Sequence, residues 1–267
     1  MNDADHRTPL ARIEPDDRLV VLARTMDATD PEAQSALKDG VVNWARFGET
    51  CLGQALYRHG TVYRNASEAP VWSHTELSYF HNLVPVKAIR DLVVGSQPAG
   101  TRLFRAEILA TTPSSFILPR HLQSSADRPD RQASLEFINV DTAYLDAYRE
   151  AMRDFCGPAA ERLVRANRFG SFRAMETIAV LFQAQELKID WNQIHLCELD
   201  PDDFDGFGPE FEATLREASP DRTDLAGTFA RLDRMRTIPR WTYNDPIVEV
   251  DAALGRVGTT GPRLPHR

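Results

Sequence analysis

Two segments of this 267-residue chain set an indole, an imidazole and a carboxyl or amide group at strand-like spacing. They read Val71-Trp72-Ser73-His74-Thr75-Glu76-Leu77-Ser78 and Asp190-Trp191-Asn192-Gln193-Ile194-His195-Leu196-Cys197. Side chains on a strand alternate between its faces. Trp72, His74, Glu76, Ser78 and Phe80 therefore share one face, opposite Ser73, Thr75, Leu77, Tyr79 and His81. Trp191, Gln193, His195, Cys197 and Leu199 group in the same way. His74 and Glu76 stand about 7 Å apart along such a strand. A carboxylate there can orient an imidazole, directly or through water, for acid–base work near neutral pH. His74, Glu76 and His195 are accordingly the candidate catalytic residues. A solvated polar face or a structural hydrogen bond is the competing account of each.

A few directed polar groups among aromatics suit a half-lined pocket, so Trp72, Trp191 and Gln193 join the candidate substrate contacts. Tyr57, His59 and Tyr63 share a face of another strand. A Tyr/His pair can polarise a carbonyl, although aromatics also favour sheets for packing reasons. Glu176 lies among apolar neighbours, where an ionised carboxylate is costly without a partner. It is either a pocket residue or the ion-pair partner of an arginine such as Arg173, the pair being favoured. His195 points away from Ile194 and Leu196. It faces the interior between units if those two pack under helices, and it lines a pocket under the helices if they pack inside.

Other chemistries lack their spacing. No HExxH, His-x-His pair or Cys-rich pattern predicts a metal site. No GxGxxG, GxxxxGK[ST] or GxSxG motif occurs. Haem needs a proximal histidine facing a large apolar cavity; His74, His81 and His195 are available, and nothing selects among them. Cys51 and Cys156 fall on predicted helices at packing positions.

The elements that would position these groups follow from periodicity and from turn residues. A strand at Leu19–Ala23 precedes a helix capped by Asp30 with Pro31 at its first position. Strands follow at 56–63 and 71–80, then a helix at 84–94 and a strand at 102–111. The stretch 113–133, rich in Pro and Ser, reads as a linker between residues 18–112 and 134–252. The second part repeats the order: a strand at 135–140, a helix at 142–168 kinked at Gly157-Pro158, strands at 169–182 and 191–199, helices at 200–218 and 225–235, and an extended piece at 247–250. Residues 1–17 and 254–267 read as flexible tails. Each part is thus βαββαβ, a ferredoxin-like unit that leaves one sheet face to be buried. The fold class is α+β, two fused ferredoxin-like repeats burying those faces against each other as an α+β barrel. Aligned on Trp72 and Trp191, His74 corresponds to Gln193 and Glu76 to His195.

Bulk composition narrows the partners. An apolar fraction of 42% and a charged fraction of 26% are those of a globular protein. A formal net charge of −8 argues against nucleic acid. Three cysteines without CxxC spacing fit reduced thiols. The absence of a long apolar run or secretory segment predicts no membrane span and a cytoplasmic location. A small-molecule ligand is the expected partner. Exposed edges of such sheets pair between chains, which makes a homo-oligomer a further expectation.

Tyr148-Arg149-Glu150-Ala151-Met152, Phe169-Gly170-Ser171-Phe172-Arg173 and Asp190-Trp191-Asn192-Gln193-Ile194-His195-Leu196 resemble the helix and strand patterns of NIPSNAP-like and EthD-like members of the dimeric α+β barrel superfamily. In architecture the resemblance spans residues 18–250. It implies a cofactor-independent enzyme acting on a small, largely apolar organic molecule, of cyclase, isomerase or oxygenase (monooxygenase) type, in secondary metabolism. The superfamily also contains haem enzymes, such as chlorite dismutase relatives, and proteins of no known activity. A haem enzyme and a non-catalytic binding or assembly protein therefore stand as alternatives.

Overall fold

The structure is a computed structural model, and it describes residues 11–12, 19–44, 51–66, 71–80, 89–90, 93, 97–112, 116–117, 132–166, 168–199, 204–218, 225–251 and 256–259. Most of the linker and of both expected tails lies outside the described residues. So does the predicted helix at 84–94, apart from Ile89, Arg90 and Val93, which are helical.

Eight long strands carry the fold: β1 (Val20–Asp27), β2 (Cys51–Asn65), β3 (His74–Phe80), β4 (Arg102–Thr111), β5 (Gln132–Val140), β6 (Phe169–Gln183), β7 (Gln193–Leu199) and β8 (Arg236–Asp251). Pairing runs β6-β4-β1-β3-β2-β8-β5-β7 and returns to β6, so the antiparallel sheet closes on itself as a barrel. Each half contributes the ferredoxin-like order, β4-β1-β3-β2 and β8-β5-β7-β6. The halves join at β2–β8 and β4–β6. Closure inside one chain leaves none of these eight strands as an open edge. Three short strands, Ala11–Arg12, Phe116–Ile117 and Arg256–Thr259, pair at the margins.

Helices cover the outer faces. In the first half α1 (Pro31–Trp44) begins as its sequence dictates, with Asp30 Oδ1 accepting the Ala33 amide at 2.7 Å. In the second half the expected kinked helix is α2 (Leu145–Ala151), a π turn (Met152–Cys156) and α3 (Gly157–Arg165). Pro158 has no amide hydrogen for the Asp154 carbonyl. The Gly157 amide instead reaches back to Met152 O, the spacing of a π turn. Cys156 therefore sits in a π turn and Cys51 opens β2; neither is on a regular helix. Helices α4 (Phe204–Ala218) and α5 (Leu225–Leu232) complete the cover.

Apolar residues separate by face. The barrel interior holds Val21, Ala23, Tyr57, Trp72, Leu77, Tyr79, Phe137, Met175, Trp191, Ile194 and Leu196. Phe137 meets Trp72 and Trp191 edge-on at 5.2 and 5.1 Å, each contact adding about 0.5–1.5 kcal/mol beyond burial. Under the first half's helices lies one continuous cluster that includes Leu22, Ala33, Leu37, Leu56, Phe80, Ile89 and Val93. Under the second half's helices there are two clusters, one around Leu163, Phe211 and Leu215, the other around Tyr148, Met152, Leu232 and Met235.

Several expectations change here. β3 and β7 begin at His74 and Gln193, so Trp72 and Trp191 precede the regular alternation and turn inward, away from the face of His74 and His195. β8 is far longer than the piece expected at 247–250. A bulge between Thr237 and Arg240 reverses its parity there. Arg236 therefore faces the helices and Arg240 the barrel interior.

Candidate functional site

Between the two apolar clusters of the second half lies a cavity of about 410 Å³. Phe169, Phe172, Phe211, Phe229 and Leu232 form its apolar wall, and Met152 and Cys156 reach it from the π turn. Its carboxylate, imidazole and guanidinium groups are Glu136 from β5, His195 from β7 and Arg236 from β8. Glu136 and His195 are directly paired across β5–β7, which sets their Cβ atoms about 5 Å apart on one face. Arg236 Nη1 lies 3.9 Å from Glu136 Oε2 and donates to Tyr148 Oη at 2.9 Å. The mouth is aromatic: Tyr63, 60% exposed, packs on Trp241 at 4.6 Å between ring centres and on Tyr243 at 6.3 Å. Trp241 is fixed by its Nε1 donating to Ser134 Oγ at 2.8 Å. Tyr63 belongs to the first half, so the cavity draws on both repeats.

Burial and Arg236 set the electrostatics. Burial raises the Glu136 carboxyl, partly opposed by the Arg236 and Arg64 charges. Burial, helped by Arg236, lowers His195 to about 3, so its imidazole is neutral at physiological pH. Burial raises the Tyr148 phenol, and it keeps its proton. The Cys197 thiol in the cavity wall is also pushed up by burial and by the Glu136 and Glu198 charges, which makes it a packing group and not a thiolate nucleophile. A base, a cation and a neutral imidazole thus share one end of an otherwise apolar chamber. That set can take a proton from a bound molecule and hold the resulting anion.

The residues singled out in the sequence disperse. His195 and Tyr63 line the cavity, and Gln193 holds His195, whose Nε2–H donates to Gln193 Oε1 at 3.1 Å. His74 and Glu76 lie on the outer face of the first half, buried, and they are not bonded to each other. His74 Nδ1 accepts from Ser73 Oγ at 2.8 Å, and the ring is lowered to about 4 by burial and by Arg58. Glu76 is ion-paired with Arg24. Trp72, Trp191 and Tyr57 are inside the barrel. His59 bridges Thr75 and Arg240, at 3.0 Å to each. Glu176 pairs with Arg149, not Arg173, because β6 turns it outward toward α2 while Arg173 points inward to Tyr79.

Sequence patterning alone does not single out Glu136, Arg236, Trp241 or Tyr243. Glu136 was within reach, since Ser134, Glu136 and Ile138 alternate with the interior set Ala133, Leu135 and Phe137. Pro239 and Pro246 within β8 concealed the others, because proline is rare inside a strand.

No protein-family model matches the sequence, and no curated protein is significantly similar to it. Solved structures resemble the fold. An anthrone oxidase-like protein superposes with a TM-score of 0.52 at 11% identity, covering 91% of this chain and 97% of its own. A provisionally named monooxygenase from Lactobacillus acidophilus gives 0.44 at 10% identity, covering 91% and 97%. A chlorite dismutase variant from Candidatus Nitrospira defluvii gives 0.42 at 10%, covering 85% and 91%. Identities this low speak to fold alone. The chain has the fold of a dimeric α+β barrel, with both repeats in one polypeptide.

Proposed function

We propose that this chain is an enzyme of the oxygenase or acid–base type that removes a proton from a planar, largely apolar organic molecule bound in the second-half cavity. The observation that carries this reading is the meeting of Glu136, Arg236 and His195 at one end of an apolar chamber of about 410 Å³. Glu136, raised by burial, is the base. Arg236 stands beside it as a fixed positive charge for the enolate or phenolate that forms. Neutral His195, its Nε2–H already given to Gln193, adds an acceptor nitrogen and no charge to this end of the chamber. Flat aromatic walls and the Tyr63–Trp241–Tyr243 mouth favour a flat guest. The carbanion so made can rearrange, cyclise or pass an electron to dioxygen without a bound cofactor.

Haem, the alternative the superfamily resemblance implies, finds no imidazole with a free Nε2 in this cavity among the described residues, and His81 lies outside them. His195 is the only imidazole lining the cavity among the described residues, and its Nε2 is held by Gln193. Helices α2 to α5 contain no histidine. Among the described residues no cluster of three or more His, Cys, Asp or Glu suits a metal ion, and no helix is long and apolar enough to cross a membrane.

Tricyclic ketones with an acidic C–H are the first probes, anthrone among them because a protein of the same fold carries that name. Oxygen uptake and probe absorbance, followed together, test the reading. Turnover by the wild type that is lost in Arg236→Met and Glu136→Gln is expected. Turnover unchanged in both variants contradicts it.

A further inference from the structure

The relation between the repeats brings out a mismatch inside the barrel, away from the cavity. Trp72 corresponds to Trp191, Arg240 to Arg105, Asn65 to Gln183 and Thr242 to Glu107. In one half Arg105 lies over the Trp191 ring at 4.3 Å, donates Nη2 to Trp191 O at 2.8 Å and donates Nη1 to Gln183 Oε1 at 3.2 Å. In the other half Arg240 lies over Trp72 at 4.0 Å, donates Nη2 to Trp72 O at 2.8 Å and donates Nη1 to Asn65 Oδ1 at 3.0 Å.

The halves differ in negative charge. Glu107 accepts from Arg105 Nη2 at 2.8 Å, from Thr177 Oγ1 at 2.8 Å and from Trp191 Nε1 at 2.6 Å. Asp190 accepts a further Arg105 bond at 2.6 Å. Their counterparts are Thr242 and Val71, which carry no charge. Arg240 is fully buried, and no carboxylate among the described residues pairs with it. Burial is the one influence on its ionisation, lowering it to about 10. Its neighbour His59 Nδ1 accepts one bond at 3.0 Å but is a neutral ring, held so by burial and by Arg240 itself. Trp72 Nε1 and Thr242 Oγ1, both buried, have no hydrogen-bond partner. A buried cation without a counter-ion, beside an orphaned N–H and an orphaned hydroxyl, is an unstable arrangement unless something negative joins it.

We propose that a small monovalent anion of halide size binds inside the barrel against Arg240, Trp72 Nε1 and Thr242 Oγ1, in the place that the Glu107 carboxylate fills in the other half. The ion completes the charge pattern that the first copy of the motif carries covalently.

Sodium bromide and sodium gluconate at equal ionic strength separate binding from screening, gluconate being too large for the site. Bromide is expected to raise the unfolding midpoint by about 3–5 °C for each tenfold increase above its Kd. Anomalous scattering from a bromide-soaked crystal should peak within hydrogen-bond distance of Trp72 Nε1. Thr242→Glu supplies the carboxylate within the chain and should abolish the bromide effect. Should that variant not fold, Trp72→Phe, which keeps a ring and loses the N–H, should weaken the effect at least tenfold in apparent Kd. Equal midpoints in the two salts, a water in place of the anomalous peak, or a bromide effect that survives these substitutions would overturn the proposal.

Discussion

The polar end of the cavity depends on three side chains: burial raises Glu136 and lowers His195, while Tyr148, Glu136 and Asp233 hold Arg236 protonated against burial. Glu136 sits 3.9 Å from Arg236, near enough to favour its charge and far enough to leave its oxygens free for a substrate proton. Glu136→Gln keeps the shape and removes the base. It should reduce turnover by about 10²–10⁴, with a change in Tm of only a few degrees. Because burial raises the Glu136 carboxyl, activity should climb as pH rises through that raised value, and a pH–rate profile reads it directly. His195 acts in the opposite sense on stability. Its folded value, about 3, lies below the ordinary 6.5, so the unfolded chain binds the proton first as pH falls. The stability it contributes is present above pH 6.5 and drains away toward pH 3, at about 1.4 kcal/mol per pH unit. Urea unfolding of His195→Gln between pH 6.5 and 4 should show a slope shallower than wild type by about that amount. An unchanged slope would mean that His195 is not held neutral.

Among the elements, the π turn and the bulge in β8 do the aiming. The π turn turns Met152 and Cys156 into the cavity, and its cause is the missing amide hydrogen of Pro158. Pro158→Ala restores that donor, so the segment should relax toward α-helix and redirect both side chains. The expected result is probe binding weakened several-fold with stability kept or raised, read by titration beside chemical denaturation. The kink itself was legible in Gly157-Pro158; its resolution as a π turn was not, because a proline fixes the missing bond without fixing what replaces it. Strand faces were legible only where alternation is unbroken. On β7 the reading that sets Ile194 and Leu196 inside and His195 under the helices is the one the core adopts. Trp72 and Trp191 escaped the same logic because each precedes its strand. Arg236 escaped because Pro239 and the adjacent bulge hid both the strand and its change of parity.

The whole molecule is two copies of one unit that have diverged in what lies beneath their helices. The order of elements was legible because turn residues and apolar runs repeat through the chain. The location of the site was not legible, because it depends on how the apolar clusters divide beneath the helices. In the first half the described residues of the layer form a single cluster, and His74 and Glu76 are enclosed beside it. In the second half the layer is split, and the space between its two clusters is the cavity. Since β2 pairs with β8 and β4 with β6, each half supplies the edges the other needs. Halves expressed separately should be unfolded or self-associated, whereas co-expressed halves should copurify at equal stoichiometry. Independent folding of either half as a monomer would contradict this dependence.

Proton abstraction by Glu136 is the centre of the account, and isotope exchange tests it with the fewest intervening steps. A tricyclic ketone incubated anaerobically in D₂O, with proton NMR following its acidic C–H, reports abstraction apart from any later reaction with oxygen. The wild type should exchange the proton well above the buffer rate, and Glu136→Gln should bind the probe yet exchange it at the buffer rate. Exchange by Glu136→Gln as fast as by wild type, or none by a wild-type protein that binds the probe, would contradict the account.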